Sequence, residues 1–264
     1  PFTAARARNE GFRRLAEFTP PPELVQFVDG DCEVSDGWLE TGSAFLDAHA
    51  EVAVVCGRNR ERFPERSIYN RLADMEWDTP VGEARACGGN AMMRAAAFEQ
   101  AGGFRDDLIA GEEPELCVRL RALGWHVWRL EAEMTLHDSA MTRFSQWWRR
   151  SMRAGYAFAE GAHLHGSSPE RHWVREARSA RVWGGAVPML IFAGVLAFGP
   201  AAAWALLVYP LQVLRLTLKG SGRYTLRALR ALFLVLGKFP EALGQVKFLA
   251  LQARGRRARL IEYK

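Results

Sequence analysis

Two carboxylates separated by one glycine, Asp29-Gly30-Asp31, follow the apolar run from Leu24 to Val28. Acidic side chains in so tight a turn can share one hard divalent cation, Mg²⁺ or Mn²⁺, and such a cation takes one or two carboxylates plus substrate phosphates. Gly30 lets the backbone bend and leaves room for a phosphate. Further on, Asp106, Asp107, Glu112, Glu113 and Glu115 place five carboxylates within ten residues. Crowding raises carboxylate pKa values, which is what a general base needs. The same acids at a helix start also simply complement the helix dipole. His137, followed by Asp138, reads either as a packed pair or as the residue that completes a metal site. Arg149, Arg150 and Arg153 beside Trp147 and Trp148 suit a pyrophosphate clamp or a membrane interface. Cys87-Gly88-Gly89-Asn90 reads as a close backbone approach to a ligand, or as a plain turn.

These groups need elements to position them. Leu24–Asp31 reads as a short buried strand, and carboxylates at the carboxyl end of a strand in an open α/β sheet lie where ligands bind. A helix capped by Thr3 precedes it and runs to about Phe18. Trp38–His49 reads as a helix and Glu51–Gly57 as a strand. Arg58–Glu83 shows no clean periodicity and reads as a long loop with a short helix. A helix at Ala95–Ala101 ends on Gly102-Gly103. Leu116, Leu120 and Leu123 put another helix between about Glu113 and Gly124, with Pro114 in its first turn. Trp125–Leu130 reads as a strand, His137 as part of a polar loop, and Phe144–Tyr156 as a two-faced helix. Strands alternating with helices argue for an α/β fold.

The last hundred residues differ in character. Val182–Leu214 is a run of 33 residues without a charge, beyond the roughly 20 that one membrane span needs. Gly199-Pro200 breaks it into a hairpin at about 182–218. Arg175, Arg178 and Arg181 before it and Arg215, Lys219, Arg223, Arg227 and Arg230 after it place both ends on the cytoplasmic side of the inner membrane. Leu226–Leu251, broken at Gly237-Lys238-Phe239-Pro240, reads as amphipathic helices lying on the membrane surface. Arg254–Arg259 forms a basic tail suited to anionic headgroups. Beside a membrane candidate of this length, nucleic acid is set aside as a partner.

The chain has 264 residues, 49% of them apolar, and a net charge of +5. That suits one α/β domain over residues 1–160 and a helical appendage over 161–264. Acids crowd the first third, and arginine dominates from Arg143 onward. The cysteines, Cys32, Cys56, Cys87 and Cys117, are scattered singly, form no metal-ligand spacing, and read as reduced core or loop residues. The sequence opens on Pro1-Phe2 without a signal or transit pattern, and reads as a fragment of a longer reading frame.

Five short motifs stand in order: Ala7-Arg8-Asn9-Glu10-Gly11, Phe27-Val28-Asp29-Gly30-Asp31, Gly88-Gly89-Asn90, Gly102-Gly103-Phe104, and Gly111-Glu112-Glu113 followed by Leu116 and Arg119-Leu120. Together they resemble family 2 glycosyltransferases of the GT-A fold over residues 5–160. The resemblance implies a partial, Rossmann-like GT-A domain lacking its first strand–helix units, a nucleotide-sugar donor, a divalent metal and an inverting transfer to a hydroxyl of a glycan or lipid-linked acceptor. It assigns Asp29 and Asp31 to the metal, and His137, read above from its own position, joins them as a further ligand. It assigns Glu113 as the base, where the family has aspartate, with Glu112 next in line. Arg8, Asn9, Arg149, Arg150 and Arg153 fall to the donor diphosphate, and Gly89, Asn90 and Trp147 to the acceptor. Gln146-Trp147-Trp148-Arg149-Arg150 matches the Gln-x-x-Arg-Trp motif of processive members only loosely. Three rivals remain: a GT-A-like nucleotidyltransferase, a non-catalytic membrane interaction protein, and a transporter subunit.

Overall fold

The computed structural model describes residues 3–167, 169–220 and 222–256. The chain divides into two units after Gln146. The first begins with α1 (Ala4–Leu15), whose N-cap Thr3 accepts from the Arg6 N–H at 3.2 Å. It continues through β1 (Leu24–Phe27), β2 (Cys32–Val34), α2 (Trp38–Ala48), β3 (Val52–Glu61), α3 (Ile68–Trp77), β4 (Gly82–Glu83), β5 (Ala91–Arg94), α4 (Ala95–Gln100), α5 (Glu112–Ala122) and β6 (His126–His137).

These strands form one mixed, Rossmann-like sheet. β3 and β6 run parallel at its centre, and β5 then β1 extend it antiparallel on one side. β2 and β4 pair antiparallel with the two ends of β6 on the other side. Val52 to Cys56 is buried throughout, as a strand covered on both faces must be. Because β1, β3 and β6 point the same way and β5 runs against them, one edge of the sheet gathers four segments. These are the turn after β1, the end of β3, the end of β6 and the loop before β5.

Two strands are longer than periodicity predicts. β3 continues through Arg58-Asn59-Arg60-Glu61 because its charges find partners: Arg60 makes a two-pronged pair with Glu133 of β6 at 2.6 and 2.7 Å. β6 runs to His137, so His137 ends a strand and does not sit in a loop. Gly57 is required where β3 presses on β6, since a Cβ there would fall 2.5 Å from the Ala132 carbonyl oxygen. The segment 58–83 is accordingly not a long loop but strand, helix and a two-residue strand. α1 also ends earlier than expected, at Leu15.

Phe12, Phe27, Phe98 and Phe104 pack in tilted and edge-to-face pairs with ring centres 4.6–5.1 Å apart and fasten α1 to the sheet beside β1. Trp38 is buried, and its indole N–H donates to Gln26 Oε1 at 2.7 Å. Arg94 at the end of β5 donates to the Leu46 and His49 carbonyls at the end of α2.

The second unit is helical. It holds most of α6 (Phe144–His165), then α7 (Val174–Arg181), a π-turn at Val182–Ala186, α8 (Val187–Phe198), a 3₁₀ stretch at Pro200–Leu207, α9 (Val208–Lys219), α10 (Tyr224–Leu236) and α11 (Lys238–Ala253). Two continuous helical stretches, Val174–Phe198 and Pro200–Lys219, are long and apolar enough to cross a membrane, and they break at Gly199 with φ +84°. Met189, Leu190, Phe192, Leu196, Phe198 and Trp204 on them are all exposed. A buried helical pair of a soluble protein would cover such side chains, so this surface supports membrane association.

α11 has two faces. Ala242, Gly244, Gln245 and Phe248 are buried, and Gly155 of α6 lies so near α11 that a Cβ would fall 2.1 Å from the Glu241 carbonyl oxygen. One face of α11 therefore packs on protein, while Leu243, Val246 and Leu249 on the other are exposed. Pro1, Phe2 and the end of the basic tail, Arg257 to Arg259, lie outside the described residues.

Candidate metal and transfer site

At the gathering edge of the sheet, β1 gives way to the turn Val28-Asp29-Gly30-Asp31, closed by the Cys32 N–H donating to the Asp29 carbonyl at 3.0 Å. Asn90 fastens the turn from the neighbouring loop. Its Oδ1 accepts the Asp29 N–H at 2.7 Å, and its amide donates to Cys32 Sγ at 3.2 Å. Buried Asn90 is thus committed to shaping the turn.

Asp31, Cys32 and His137 each bring a ligand atom within 4.8 Å of the others. His137 Nε2 lies 3.2 Å from Asp31 Oδ1. Residues more than a hundred positions apart in sequence thus meet because β2 pairs with the end of β6, opposing Cys32 to His137 directly. Asp31 and His137 are an expected pair, and Cys32 is added by the fold. Asp29 stands apart from this group, for its carboxylate is paired with Arg8.

The donor set fits a divalent ion through its carboxylate and imidazole, a combination better suited to Mn²⁺ than to Mg²⁺. Burial pushes the Cys32 thiol up to about 11, and its soft sulfur is the donor of the set least suited to Mg²⁺ or Mn²⁺. Behind His137, its Nδ1 is buried without a hydrogen-bond partner, 4.0 Å from Glu61 Oε2. Burial raises the Glu61 carboxyl, but the nearby His137 imidazole and the hydrogen bonds from Ser139 and Phe63 outweigh it and leave the pKa below its usual range. Glu61 also accepts from the amide of Asn70 at 3.0 Å. Asn70, fully buried, accepts in turn from Ser139 Oγ and the Met141 N–H, each at 3.1 Å. Trp77, at the end of α3, sets its ring edge against His137 with centres 4.6 Å apart.

The second half of the site is built on Arg8. Its guanidinium lies 5.5 Å above the Phe104 ring centre and bridges Asp29 to Glu112, the latter at 2.5 Å. Burial alone would lower its pKa, but the fields of Asp29 and Glu112 win and raise it. Asn9 turns the other way, exchanging hydrogen bonds with the Phe104 backbone at 2.7 and 2.9 Å. It latches α1 to the Gly103-Phe104 turn.

α5 begins after Gly111 at φ +81°, and the three acids of its first turn are all buried. Each has a distinct partner, so they are more than dipole decoration. Glu112 faces Arg8. Glu115 forms a pair with Arg119 at 2.7 Å. Glu113 turns inward, and its two carboxylate oxygens accept the Cys87 and Gly88 N–H groups, each at 2.9 Å, with the Cys117 thiol donating at 2.9 Å as well. Burial pushes the Glu113 carboxyl above its usual range in spite of these donors. Gly88 and Gly89 both adopt positive φ, 83° and 105°, so the loop can pass over Arg8 and Asp29.

The remaining expected residues lie on α6. Arg149, Arg150 and Arg153 stand there in the second unit, and Trp147 is buried edge-on to Phe233 with centres 4.9 Å apart. Sequence reading missed Cys32, Glu61, Asn70 and Trp77. The charges around Glu61 and Asn70 mask a strand end and a helix start, and nothing local in the sequence couples them to His137.

No family model and no curated protein matches this sequence. Solved structures do. Mannosyltransferase PcManGT from Pyrobaculum calidifontis, in complex with GDP-Man and Mn²⁺, is 20% identical with a TM-score of 0.53, over 94% of this chain and 67% of that one. S. aureus TarS, residues 1–349, is 13% identical at a TM-score of 0.41, over 97% of this chain and 73% of that one. At 20% identity the first likeness shows a shared fold, and the chain resembles GT-A-like structures in that respect.

Proposed function

We propose that this chain is a metal-assisted glycosyltransferase that moves a sugar, with inversion, from a nucleotide-sugar donor to a hydroxyl of a glycan or lipid-linked acceptor. The observation that carries the reading is the pairing of Asp31 with His137 at one sheet edge, beside the Arg8 bridge between Asp29 and Glu112. Asp31 and His137 would hold the cation, which neutralises charge growing on the departing diphosphate.

The chain's own residues supply the rest. Arg8 bridges two carboxylates and holds them in place at the mouth of the site. Glu112 takes the acceptor proton, because it shares Arg8 with the metal turn, whereas both Glu113 oxygens already serve backbone donors. Glu113 positions the Cys87–Gly89 loop. Gly89 gives the acceptor room, and Arg149, Arg150 and Arg153 are the proposed contacts of the diphosphate. The cytoplasmic face of a membrane is the proposed location, in keeping with the basic flanks of the apolar helices.

The test is release of nucleoside diphosphate by the whole chain in detergent, across several nucleotide sugars with Mn²⁺ or Mg²⁺. Metal-dependent release, abolished in Asp31→Ala and His137→Ala, supports the reading. A Glu112→Gln variant with full turnover, beside an inactive and folded Glu113→Gln, returns the base to Glu113. Donor binding with no metal dependence overturns the metal assignment.

A further inference from the structure

Within the second unit a cavity of about 220 Å³ opens among α6, α7 and α11. At roughly 30 Å³ per water in the liquid, that is room for about seven waters, or for a phosphate group and a few carbons. Its wall has two characters. Phe248, Leu249 and three alanines make one side apolar, while His163, Arg181, Gln245 and Gln252 supply polar groups.

Those polar groups are incompletely used. Arg181 makes one long contact, Nε to the Ala177 carbonyl at 3.4 Å, and among the described residues its guanidinium meets no carboxylate. The Gln252 amide faces His163 Nε2 at 2.9 Å, and Gln245, buried, donates to the same Ala177 carbonyl at 3.0 Å. The placement matters as much as the lining. Arg181 is the last charge before the uncharged run that starts at Val182, so the cavity lies where a basic helix becomes an apolar one. Arg175 and Arg178 precede it on α7, both exposed.

We propose that this cavity holds the phosphate headgroup of an anionic membrane lipid, with Arg181 as its counter-ion and Phe248 and Leu249 against the first carbons of the tail. A cation beside amide and imidazole groups suits a phosphate oxygen. The apolar wall suits a chain that then follows the uncharged helix into the bilayer, a use that a free phosphate could not make of it. The proposal requires only that the second unit meets a membrane, and stands whether or not the transferase reading does.

The experiment is native mass spectrometry of the whole chain in detergent, with phosphatidylglycerol, phosphatidylcholine or inorganic phosphate added. Retained phosphatidylglycerol adducts are expected, with little phosphatidylcholine. Arg181→Gln, an exposed position that should fold normally, is expected to weaken retention about fivefold, the loss for one cation at an anionic surface. Arg175→Gln, off the cavity, should change it less than about twofold. Equal losses in the two variants would reduce the effect to a general basic surface and overturn the cavity. Displacement of the lipid by inorganic phosphate at matching concentration would overturn the lipid as occupant, and so would equal retention of the zwitterionic lipid.

Discussion

Arg8 is the residue on which the charge balance of the site turns. It is largely buried and answers two carboxylates, so removing it leaves Asp29 and Glu112 facing each other without compensation. Stranding a buried charge in this way costs about 3–5 kcal/mol, less where a partner keeps solvent, as Asp29 does. Arg8→Gln is therefore expected to lower stability by about 2–4 kcal/mol in a denaturant titration, and Arg8→Lys to recover only part of it, since one ammonium cannot bridge both acids. Glu113 makes a different prediction. Its carboxyl lies above its usual range through burial, so the folded chain binds that proton more tightly than the unfolded one. Stability should then fall as pH rises from the ordinary glutamate value through the raised one, and level off above it. Glu113→Gln should remove this slope, measured as denaturation midpoints between about pH 5 and about pH 8. The same variant should lose about 1–3 kcal/mol, because an amide can accept only one of the two backbone N–H groups that the carboxylate accepts.

Elements meet through Asn70. It ties the start of α3 to the end of β3 through Glu61, and to the segment after β6 through Ser139 and Met141. α3 in turn carries Trp77 to His137. An Asn70→Ala change leaves several buried groups unpaired at once and is expected to destabilise by about 3 kcal/mol. It should also weaken Mn²⁺ binding, measured by calorimetry, because partners behind a ligating histidine commonly tune affinity by about 10- to 100-fold. An Asn70→Asp variant that binds Mn²⁺ like wild type would show that the network serves stability alone. β3 and β6 show why these elements were only half legible. The first half of β3 is apolar and readable, while its second half carries charges that find partners only across the sheet, as Arg60 does with Glu133 of β6, a strand with charges along its length.

At the scale of the whole chain, the first unit is an α/β fold built on one mixed sheet and the second a set of helices in which backbones touch. Gly155 and Gly244 are the contact points of α6 and α11, where added Cβ atoms would fall 2.1 and 2.0 Å from carbonyl oxygens. Gly155→Val is expected to part these helices, seen as loss of a monodisperse peak in detergent with the metal-binding residues unchanged. The exposed apolar surface of α8 and α9 predicts that the chain stays with membranes through alkaline carbonate extraction, whereas a chain held only by charge would be released.

Some of this was fixed by the order of residues alone. Asp29-Gly30-Asp31 after an apolar run, Thr3 before a helix, and an uncharged stretch broken at Gly199-Pro200 are local patterns, and local sterics and hydration suffice to read them. The companions of Asp31 were decided by the tertiary structure. Cys32 and His137 oppose each other only because β2 pairs with the end of β6, and Glu61 and Asn70 reach His137 only because β3 runs beside β6. The division of labour between Glu112 and Glu113 is likewise a matter of which way each side chain turns off the first turn of α5, one to Arg8 and one to the Cys87–Gly88 loop. Neighbouring residues of identical chemistry cannot be told apart by type or spacing, and only the partners that the fold brings to each distinguish them.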